Sequence, residues 1–250
     1  MITPQSPILD YLFNMDFFFH SELTAQDPEI RLSPSESQHL SRVLRKQVGD
    51  TIGILNGVGG RASGSISYLD PKGSIVTLLE FEQFSPPAYT IHIAIAPTKS
   101  NDRFEWFLEK ATEIGVSTIT PILCQNSERR KIKWERLDKI ILSATKQSHQ
   151  VYRPVLNPLT PFNEFINEHP KSLIAHCREG KKINLLNYSN SIPHSTILIG
   201  PEGDFTKEEI EMALVNQAQT ISLGQQRFRT ETAGIIACHT VAVNATLVKN

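Results

Sequence analysis

The pattern of hydrophobic and polar positions changes near residue 86, and its two halves predict two kinds of domain. Between residues 50 and 79, short apolar alternations are separated by turn signals such as Asn56-Gly57 and Gly59-Gly60. Short alternating runs joined at such glycines are typical of β-hairpins. The first half therefore predicts a small β-barrel, preceded by a short helix over residues 35–45.

After residue 88, apolar strands alternate with helical segments. The predicted strands cover residues 89–96, 118–124, 173–175, 196–199 and 220–223. One predicted helix ends at Gly115, another runs over 134–150, and helical segments follow the last two strands. Such alternation implies a mostly parallel sheet covered on both faces. The predicted fold class is therefore α/β, behind a small β-barrel.

The segment Ser85-Pro86-Pro87-Ala88 predicts a linker, because consecutive prolines neither extend a sheet nor begin a buried helix cleanly. The chain is thereby divided into four predicted parts. They are a disordered extension over 1–14, a barrel domain over 15–84, the linker over 85–88 and an α/β domain over 89–250. The extension lacks the basic start of a secretory signal, and Met15 is the more natural first residue.

The net charge argues against a protein that holds nucleic acid by general electrostatics, because its formal value is −1 over 250 residues. An RNA-binding role would require the basic residues to be gathered into patches. Two clusters qualify, one formed by Arg42, Arg45 and Lys46 and the other by residues 129–133. Each cluster taken alone is more typical of a solvated surface.

The cysteines and histidines predict neither a disulfide framework nor a metal site. The three cysteines are widely spaced, and the eight histidines show no metal-ligand spacing such as HxxxH. No apolar run approaches the roughly 20 residues that a membrane span needs. We therefore expect a metal-free protein in a reducing cytoplasm, with no membrane partner.

Two glycine turns in the last third of the chain carry the candidate chemistry. The strand ending at Ile199 runs into residues 200–205, and the strand ending at Leu223 runs into residues 224–229. Thr206 and Glu209 are spaced as a capping box that opens the helix after the first turn. Turns at the carboxyl ends of parallel strands bind ligands in open α/β sheets. A single turn of this kind is usually a plain strand-to-helix connection, but two could form adjacent walls of one pocket.

The turns contain neither GxGxxG nor GxxxxGK[ST], so a phosphate cradle is not predicted. A ligand held mainly by backbone groups fits a nucleoside such as S-adenosylmethionine. The sequences IGPEG at 199–203 and RTETA at 229–233 resemble the RsmE family of the SPOUT superfamily of knotted methyltransferases. The resemblance runs from about Asp16 onward and includes further matches at residues 39–45, 56–59, 110–116, 127–129 and 146–148.

The resemblance implies a definite activity and fold. The family methylates N3 of one uridine, m3U1498, in 16S ribosomal RNA of the small subunit, with S-adenosylmethionine and without a metal. It also implies a homodimer, a PUA-like barrel and an α/β domain whose C-terminal segment forms a trefoil knot. The chain departs from the family at Asp204, where a glycine is common, and at Arg227, where the usual arginine is displaced by one place.

The candidate site residues follow from these two turns and from the resemblance. Arg229 is the candidate for stabilising the uridine oxygens, and Glu231 for orienting Arg229 or removing the N3 proton; alternatively, both form a structural ion pair. The cofactor candidates are His176, Ile199, Gly200, Pro201, Glu202, Gly203, Leu223, Gly224, Thr230, Thr232 and Ala233. The RNA candidates are Arg42, Arg45, Lys46, Ser127, Arg129 and Arg130.

Two other functions remain open at this point. A related knotted enzyme could act on a ribose 2′-hydroxyl or on transfer RNA, and only the reaction product separates it from a uridine N3 methyltransferase. A non-catalytic RNA-binding protein could keep the barrel and lose the activity. Binding of S-adenosylmethionine would argue against that second function.

Overall fold

The computed structural model describes residues 15–188 and 194–247, so the predicted extension over 1–14 lies outside the described residues. The chain divides into two compact units. The first contains the described residues up to Pro86 together with Thr145–Arg153, and the second contains Pro87–Ala144 and the described residues from Pro154 onward. The boundary between Pro86 and Pro87 falls inside the segment that the sequence predicts as a linker.

A five-stranded sheet forms the first unit. Its strands are β1 (Phe17–Phe19), β2 (Glu29–Arg31), β3 (Thr51–Leu55), β4 (Gly60–Tyr68) and β5 (Ile75–Gln83), in the order β1-β3-β4-β5-β2. The pair β1/β3 is parallel and the other pairs are antiparallel. The inward side chains of the alternating strands, among them Phe18, Ile52 and Ile54, form its buried core.

The predicted helix over 35–45 is two elements. Helix α1 (Pro34–Gln38) begins with Pro34 in its first turn and with Ser33 as N-cap, whose side chain accepts a hydrogen bond from the Glu36 amide. A π-helical turn follows over His39–Val43 and places Leu40 in the core. The chain then leaves the helical path at Arg45, which has a positive φ of 54°.

The segment Thr145–Arg153 packs with the first unit, whereas the sequence places it inside a continuous α/β domain over 89–250. The amide of Gly59 donates to the Val151 carbonyl at 2.9 Å, and the amide of Arg153 donates to the Gly57 carbonyl at 2.9 Å. Gly59 has a φ of +96°, and a Cβ there would lie 2.4 Å from the Tyr152 hydroxyl. The glycines of this turn therefore admit the returning segment.

The second unit is an α/β layer structure with an eight-stranded sheet in which every strand pair is parallel. The strands are β6 (Thr90–Ile95), β7 (Thr118–Leu123), β8 (Val155–Leu156), β9 (Thr160–Pro161), β10 (Leu173–Ala175), β11 (Ile183–Asn184), β12 (His194–Ile199) and β13 (Gln219–Ser222). Their order is β11-β13-β10-β12-β6-β7-β8, and β9 pairs with β7. The prediction of a mostly parallel sheet is confirmed.

The helices of the second unit are α2 (Asn101–Ile114), α3 (Trp134–Gln147), α4 (Phe162–Glu168), α5 (Lys207–Val215) and α6 (Thr230–Leu247), and the last turn of α3 belongs to the first unit. Helix α2 ends at Gly115, whose φ is +97°. The predicted capping box of Thr206 and Glu209 is present at the start of α5. Both helix boundaries therefore follow from local sequence signals.

The parallel sheet has an apolar core on each face. Ile91, Ile93 and Ile95 of β6 belong to one buried cluster, whereas Ala94 and Ala96 belong to the other. Adjacent residues of a strand point to opposite faces, so this division confirms that the sheet is covered on both sides. Within the described residues, no helix is long and apolar enough to cross a membrane.

Candidate functional site

A cavity of about 610 Å³ lies at the carboxyl ends of β10, β12 and β13 in the second unit. Ala175 at the end of β10 is in register with Ile199 of β12 and with Ile221 of β13, so the three segments that follow these strands begin side by side. They form the walls of the cavity. The volume lies within the range of sites that bind small molecules and cofactors.

Most of the residues that the sequence singles out for the cofactor come together here. Those that line the cavity are His176, Ile199, Gly200, Pro201, Glu202, Leu223, Gly224, Thr230 and Ala233, joined by Arg229. Gly203, Thr232 and Glu231 do not line it. The carbonyl of Gly203 instead accepts a hydrogen bond from the Asn126 side chain at 3.2 Å.

Several cavity residues were missed by sequence reasoning. They are Ala175, Cys177, Lys182, Asp204, Ile221, Ser222 and the segment 225–228. The segment 225–228 lies inside the second glycine turn, so its position between Gly224 and Arg229 was a usable signal. Lys182 lies in a polar stretch with no periodicity, and no local pattern indicates its place in the wall.

The backbone of the first glycine turn is held from two sides. The Thr230 hydroxyl donates to the Gly200 carbonyl at 3.0 Å, which connects the start of α6 to this turn. A Cβ at Gly200 would lie 3.1 Å from the buried Phe205 ring, so a larger residue would force the turn to move. The first turn therefore depends on the absence of a side chain at this position.

Asp204 occupies a left-handed backbone position, with a φ of +62°. Glycine is favoured in this region, and aspartate is among the few other residues that tolerate it. One carboxylate oxygen accepts from the amide of Phe205 at 2.8 Å, and the other accepts from the amide of Cys177 at 2.9 Å. The departure from the family's common glycine is therefore compatible with the same backbone path.

Both ring nitrogens of His176 are inaccessible to solvent and have no hydrogen-bond partner within the described ranges 15–188 and 194–247. Burial lowers the pKa of His176, nearby Lys182 and Arg178 lower it further, and Asp204 opposes the change. A neutral imidazole offers one donor and one acceptor. Buried polar groups are normally hydrogen-bonded, so the two nitrogens are unusual, although the side chain lines the cavity.

The walls of the cavity carry both positively and negatively charged side chains. Lys182, Arg227 and Arg229 supply cationic groups, and Arg227 and Arg229 are exposed. Glu202 supplies a carboxylate whose Oε1 accepts from the amide of Lys99 at 2.9 Å. The site can therefore stabilise negative charge that develops on a substrate bound beside Arg229.

Glu231 pairs with Arg103 rather than with Arg229. Its Oε1 lies 3.8 Å from Nε of Arg103, which is on the first turn of α2. Glu231 is only 7% exposed, and its Oε2 has no hydrogen-bond partner in the described part of the chain. The proposed alternative of a structural Arg229–Glu231 ion pair is absent from the described residues.

The basic RNA-binding candidates of the first unit differ in exposure and in ion pairing. Arg42 and Arg45 are exposed. Lys46 forms an ion pair with Asp16 over 2.7 Å. Arg42 and Arg45 are therefore the more available cations of this cluster.

Two of the RNA candidates in the second unit have structural partners. Ser127 is 4% exposed, and its hydroxyl accepts from the Cys124 amide at 3.0 Å, so it supports a turn instead of a surface contact. Arg129 donates to the carbonyls of Thr98 and Lys99. Arg130 is exposed. The sequence signal for the cluster did not separate these three environments.

No group of three or more histidine, cysteine or acidic side chains that could hold a metal ion occurs among residues 15–188 and 194–247. The free thiols of Cys124 and Cys238 are buried, and that of Cys177 is exposed.

Comparisons with known proteins identify the family of the chain. A family model described as an RNA methyltransferase domain matches residues 85–242, and a model of an RNA methyltransferase PUA domain matches residues 32–79. Ribosomal RNA small subunit methyltransferase E from Rickettsia conorii is 29% identical over 218 residues, covering 85% of this chain and 89% of its own. The chain belongs to the RsmE family of RNA methyltransferases.

Solved structures similar to this RsmE-family chain share its fold over nearly the whole length. A probable rRNA-methyltransferase from Porphyromonas gingivalis is 38% identical with a TM-score of 0.83, covering 93% of this chain and 99% of its own. A Legionella pneumophila protein, solved with bound cofactor SAM, is 26% identical with a TM-score of 0.81, covering 91% and 96%. The predicted PUA-like domain followed by an α/β methyltransferase domain is therefore confirmed, whereas the trefoil knot stays a prediction.

Proposed function

We propose that this protein methylates N3 of uridine 1498 in 16S ribosomal RNA of the small subunit, with S-adenosylmethionine (SAM) as methyl donor. The observation that carries the proposal is the cavity between the two glycine turns, lined by Gly200, Gly224 and Arg229. The RsmE family membership supports a ribosomal RNA substrate. Its site of action would be the cytoplasm.

The residues present fit the proposed cofactor. Backbone groups of the two turns and the apolar side chains Ile199 and Leu223 would hold the nucleoside, and the His176 side chain would pack against it. Thr230 would keep the first turn in place through its bond to Gly200. Bound SAM supplies an electrophilic methyl group on a positively charged sulfur.

The protein's own task is to place and activate the uridine. N3 is a weakly acidic imide nitrogen, so it loses its proton and leaves negative charge on O2 and O4. The Arg229 guanidinium, exposed at the cavity wall, would stabilise that charge. Glu231 stays the candidate for removing the proton, since its Oε2 has no donor in the described residues.

RNA would dock through phosphate contacts while the cavity selects a base turned out of the stack. Arg42 and Arg45 of the first unit and Arg130 of the second are exposed cations that suit such contacts. We extend the proposal to a homodimer and to a knotted C-terminal segment. Light scattering of the purified protein tests the dimer.

The first test is a methylation assay followed by nucleoside mass spectrometry. The protein and SAM are incubated with small ribosomal subunits from cells that lack this activity, and 3-methyluridine is expected. A methylated ribose in place of 3-methyluridine would overturn the base assignment. Failure to bind SAM would favour the non-catalytic RNA-binding function instead.

Arg229→Ala tests the role of the guanidinium. Loss of one donor aimed at developing charge typically costs about 10²–10³-fold in kcat. We expect a decrease of that size at saturating SAM, with the SAM dissociation constant little changed. Full turnover with normal cofactor affinity would rule out this role for Arg229. Lys139→Ala, at an exposed position of α3, is the matched control.

A further inference from the structure

Asp204 joins two walls of the cavity that follow different strands. Its own segment follows β12, and its carboxylate Oδ2 accepts from the amide of Cys177, which follows β10. Oδ1 accepts from the amide of the next residue, Phe205. A carboxylate that only stabilised its own turn would need the contact with the Phe205 amide but not the contact with the Cys177 amide.

The backbone around Asp204 is held independently of its side chain. The Asp204 amide donates to the Pro201 carbonyl at 2.8 Å, and the Asn126 side chain donates to the Asp204 carbonyl at 3.0 Å. The turn therefore has supports besides the carboxylate, whose removal frees the amides of Cys177 and Phe205. With a φ of +62°, this position accepts glycine without strain.

The contact of Asp204 is with Cys177, the residue directly after His176. Ala175, on one side of His176, is in register with Ile199 in the sheet. Cys177, on the other side, is held by the carboxylate of Asp204. The His176 imidazole lines the cavity between these two fixed points, with both ring nitrogens inaccessible and unpartnered in the described part of the chain.

We propose that Asp204 is a positioning residue for cofactor binding, which holds His176 in the cavity wall so that its side chain packs against the nucleoside part of the ligand. The inference rests on the proposed function, because it takes SAM as the ligand. Asp204 acts through the Cys177 amide and His176 and takes no part in methyl transfer itself.

Isothermal titration with SAM tests this role in the full-length protein. Asp204→Gly keeps the left-handed backbone and removes both acceptors, so the dissociation constant for SAM should rise about ten-fold, as expected for a lost charge-assisted hydrogen bond. Asp204→Asn keeps one acceptor oxygen and should partly rescue binding. The value of kcat at saturating SAM should stay within about two-fold for both variants, because the reacting groups are untouched.

A double-mutant cycle separates positioning from a general structural effect. If Asp204 acts through His176, adding Asp204→Gly to His176→Ala should weaken SAM binding by less than about two-fold, whereas independent effects would multiply. Asp70→Gly is the matched control. Its carboxylate also accepts from a backbone amide, that of Lys72, but in a turn of the first unit.

Different titration results would overturn the positioning role of Asp204 and the proposed function. Wild-type affinity in Asp204→Gly, or full additivity with His176→Ala, would overturn the positioning role while leaving the proposed function intact. Failure of the wild-type protein to bind SAM would overturn the proposed function. The asparagine variant answers the same question if the glycine variant has a lowered melting temperature.

Discussion

The hydroxyl of Thr230 donates a hydrogen bond to the carbonyl oxygen of Gly200 over 3.0 Å, which connects the start of α6 to the first glycine turn, 30 residues earlier in the chain. Thr230 is 5% exposed, and Gly200 is also buried. The sequence made Thr230 a cofactor candidate, and Thr230 does line the cavity. Its hydrogen bond also makes α6 a support for the opposite wall of the cavity.

Thr230→Val should therefore weaken both the fold and the cofactor site. Valine has a similar shape but no donor, so the buried Gly200 carbonyl would lose this partner at a cost of about 1–3 kcal/mol in the free energy of unfolding. Urea denaturation measures the loss, and SAM titration should show weaker binding. The neighbouring Thr232→Val is the control, because Thr232 does not line the cavity. Equal stability of the two variants would contradict the prediction.

Glu231→Gln and Arg103→Ala should have different effects on turnover. A carboxylate that removes the N3 proton contributes about 10²–10⁴-fold to kcat, and the glutamine amide cannot replace it. The Arg103 side chain is 45% exposed and 3.8 Å from Glu231, so its loss should change kcat far less. Single-turnover methylation at saturating SAM gives both rates. Equal decreases in the two variants would assign Glu231 a purely structural pairing with Arg103.

The stability of the second unit should fall as the pH drops below neutrality. Burial, followed by the charge of nearby His169, lowers the pKa of His92 from 6.5 to about 4. As the pH falls, the unfolded chain therefore binds a proton at His92 before the folded chain does. The contribution of neutral His92 to the free energy of unfolding is fully present above pH 6.5 and is lost towards pH 4, by up to about 3 kcal/mol.

Chemical denaturation of wild-type protein and His92→Asn between pH 7.5 and 4.5 measures this contribution. His92 Nε2 also lies 2.7 Å from the Thr120 hydroxyl, so the variant should be less stable at pH 7.5. Its unfolding free energy should nevertheless vary less steeply with pH. His239→Gln, at an exposed position of α6, should keep the wild-type pH dependence. An unchanged pH slope in His92→Asn would show that other groups dominate.

Only one of the three thiols should react with iodoacetamide in the folded protein. Burial raises the pKa of Cys238 to about 12 and that of Cys124 even further, whereas Cys177 is exposed and lines the cavity. Thiolate is the reactive form, so Cys177 should be modified first. Saturating SAM should slow this modification. Peptide mass spectrometry with and without SAM measures it, with urea-unfolded protein as the control; rapid labelling of Cys238 in the native state would contradict the prediction.

The sequence predicts the second unit better than the first because its signals are local and repeated. Strand β10 over Leu173–Ala175 begins and ends as predicted, and α2 ends at Gly115 as predicted. Each depends on a short apolar run or on a glycine in a backbone conformation that other residues adopt less readily. The helix over 35–45 was a poorer prediction, since its apolar spacing does not distinguish an α-helix from the π-helical turn at His39–Val43.

The sequence predicts those parts of the candidate site in which the backbone requires a particular residue, such as glycine in a turn. It does not predict contacts between segments that are far apart in the chain. The two glycine turns identified Gly200 and Gly224 from their positions after apolar strands. The partner of Glu231 is Arg103, which is 128 positions earlier, and nothing in the spacing indicates that pairing. Asp204 departed from the family's common glycine, and only its φ of +62° and its contact with Cys177 explain why aspartate fits there.

The return of Thr145–Arg153 to the first unit means that the chain passes between the two units three times, after Pro86, after Ala144 and after Arg153. A single cut near residue 86 would leave the Val151 and Arg153 partners of Gly59 and Gly57 on the other fragment. The first unit is therefore not a single continuous segment of the chain. Recombination with one crossover near residue 86 would separate the first unit from Thr145–Arg153, which is part of its fold. The two units are therefore expected to be inherited together.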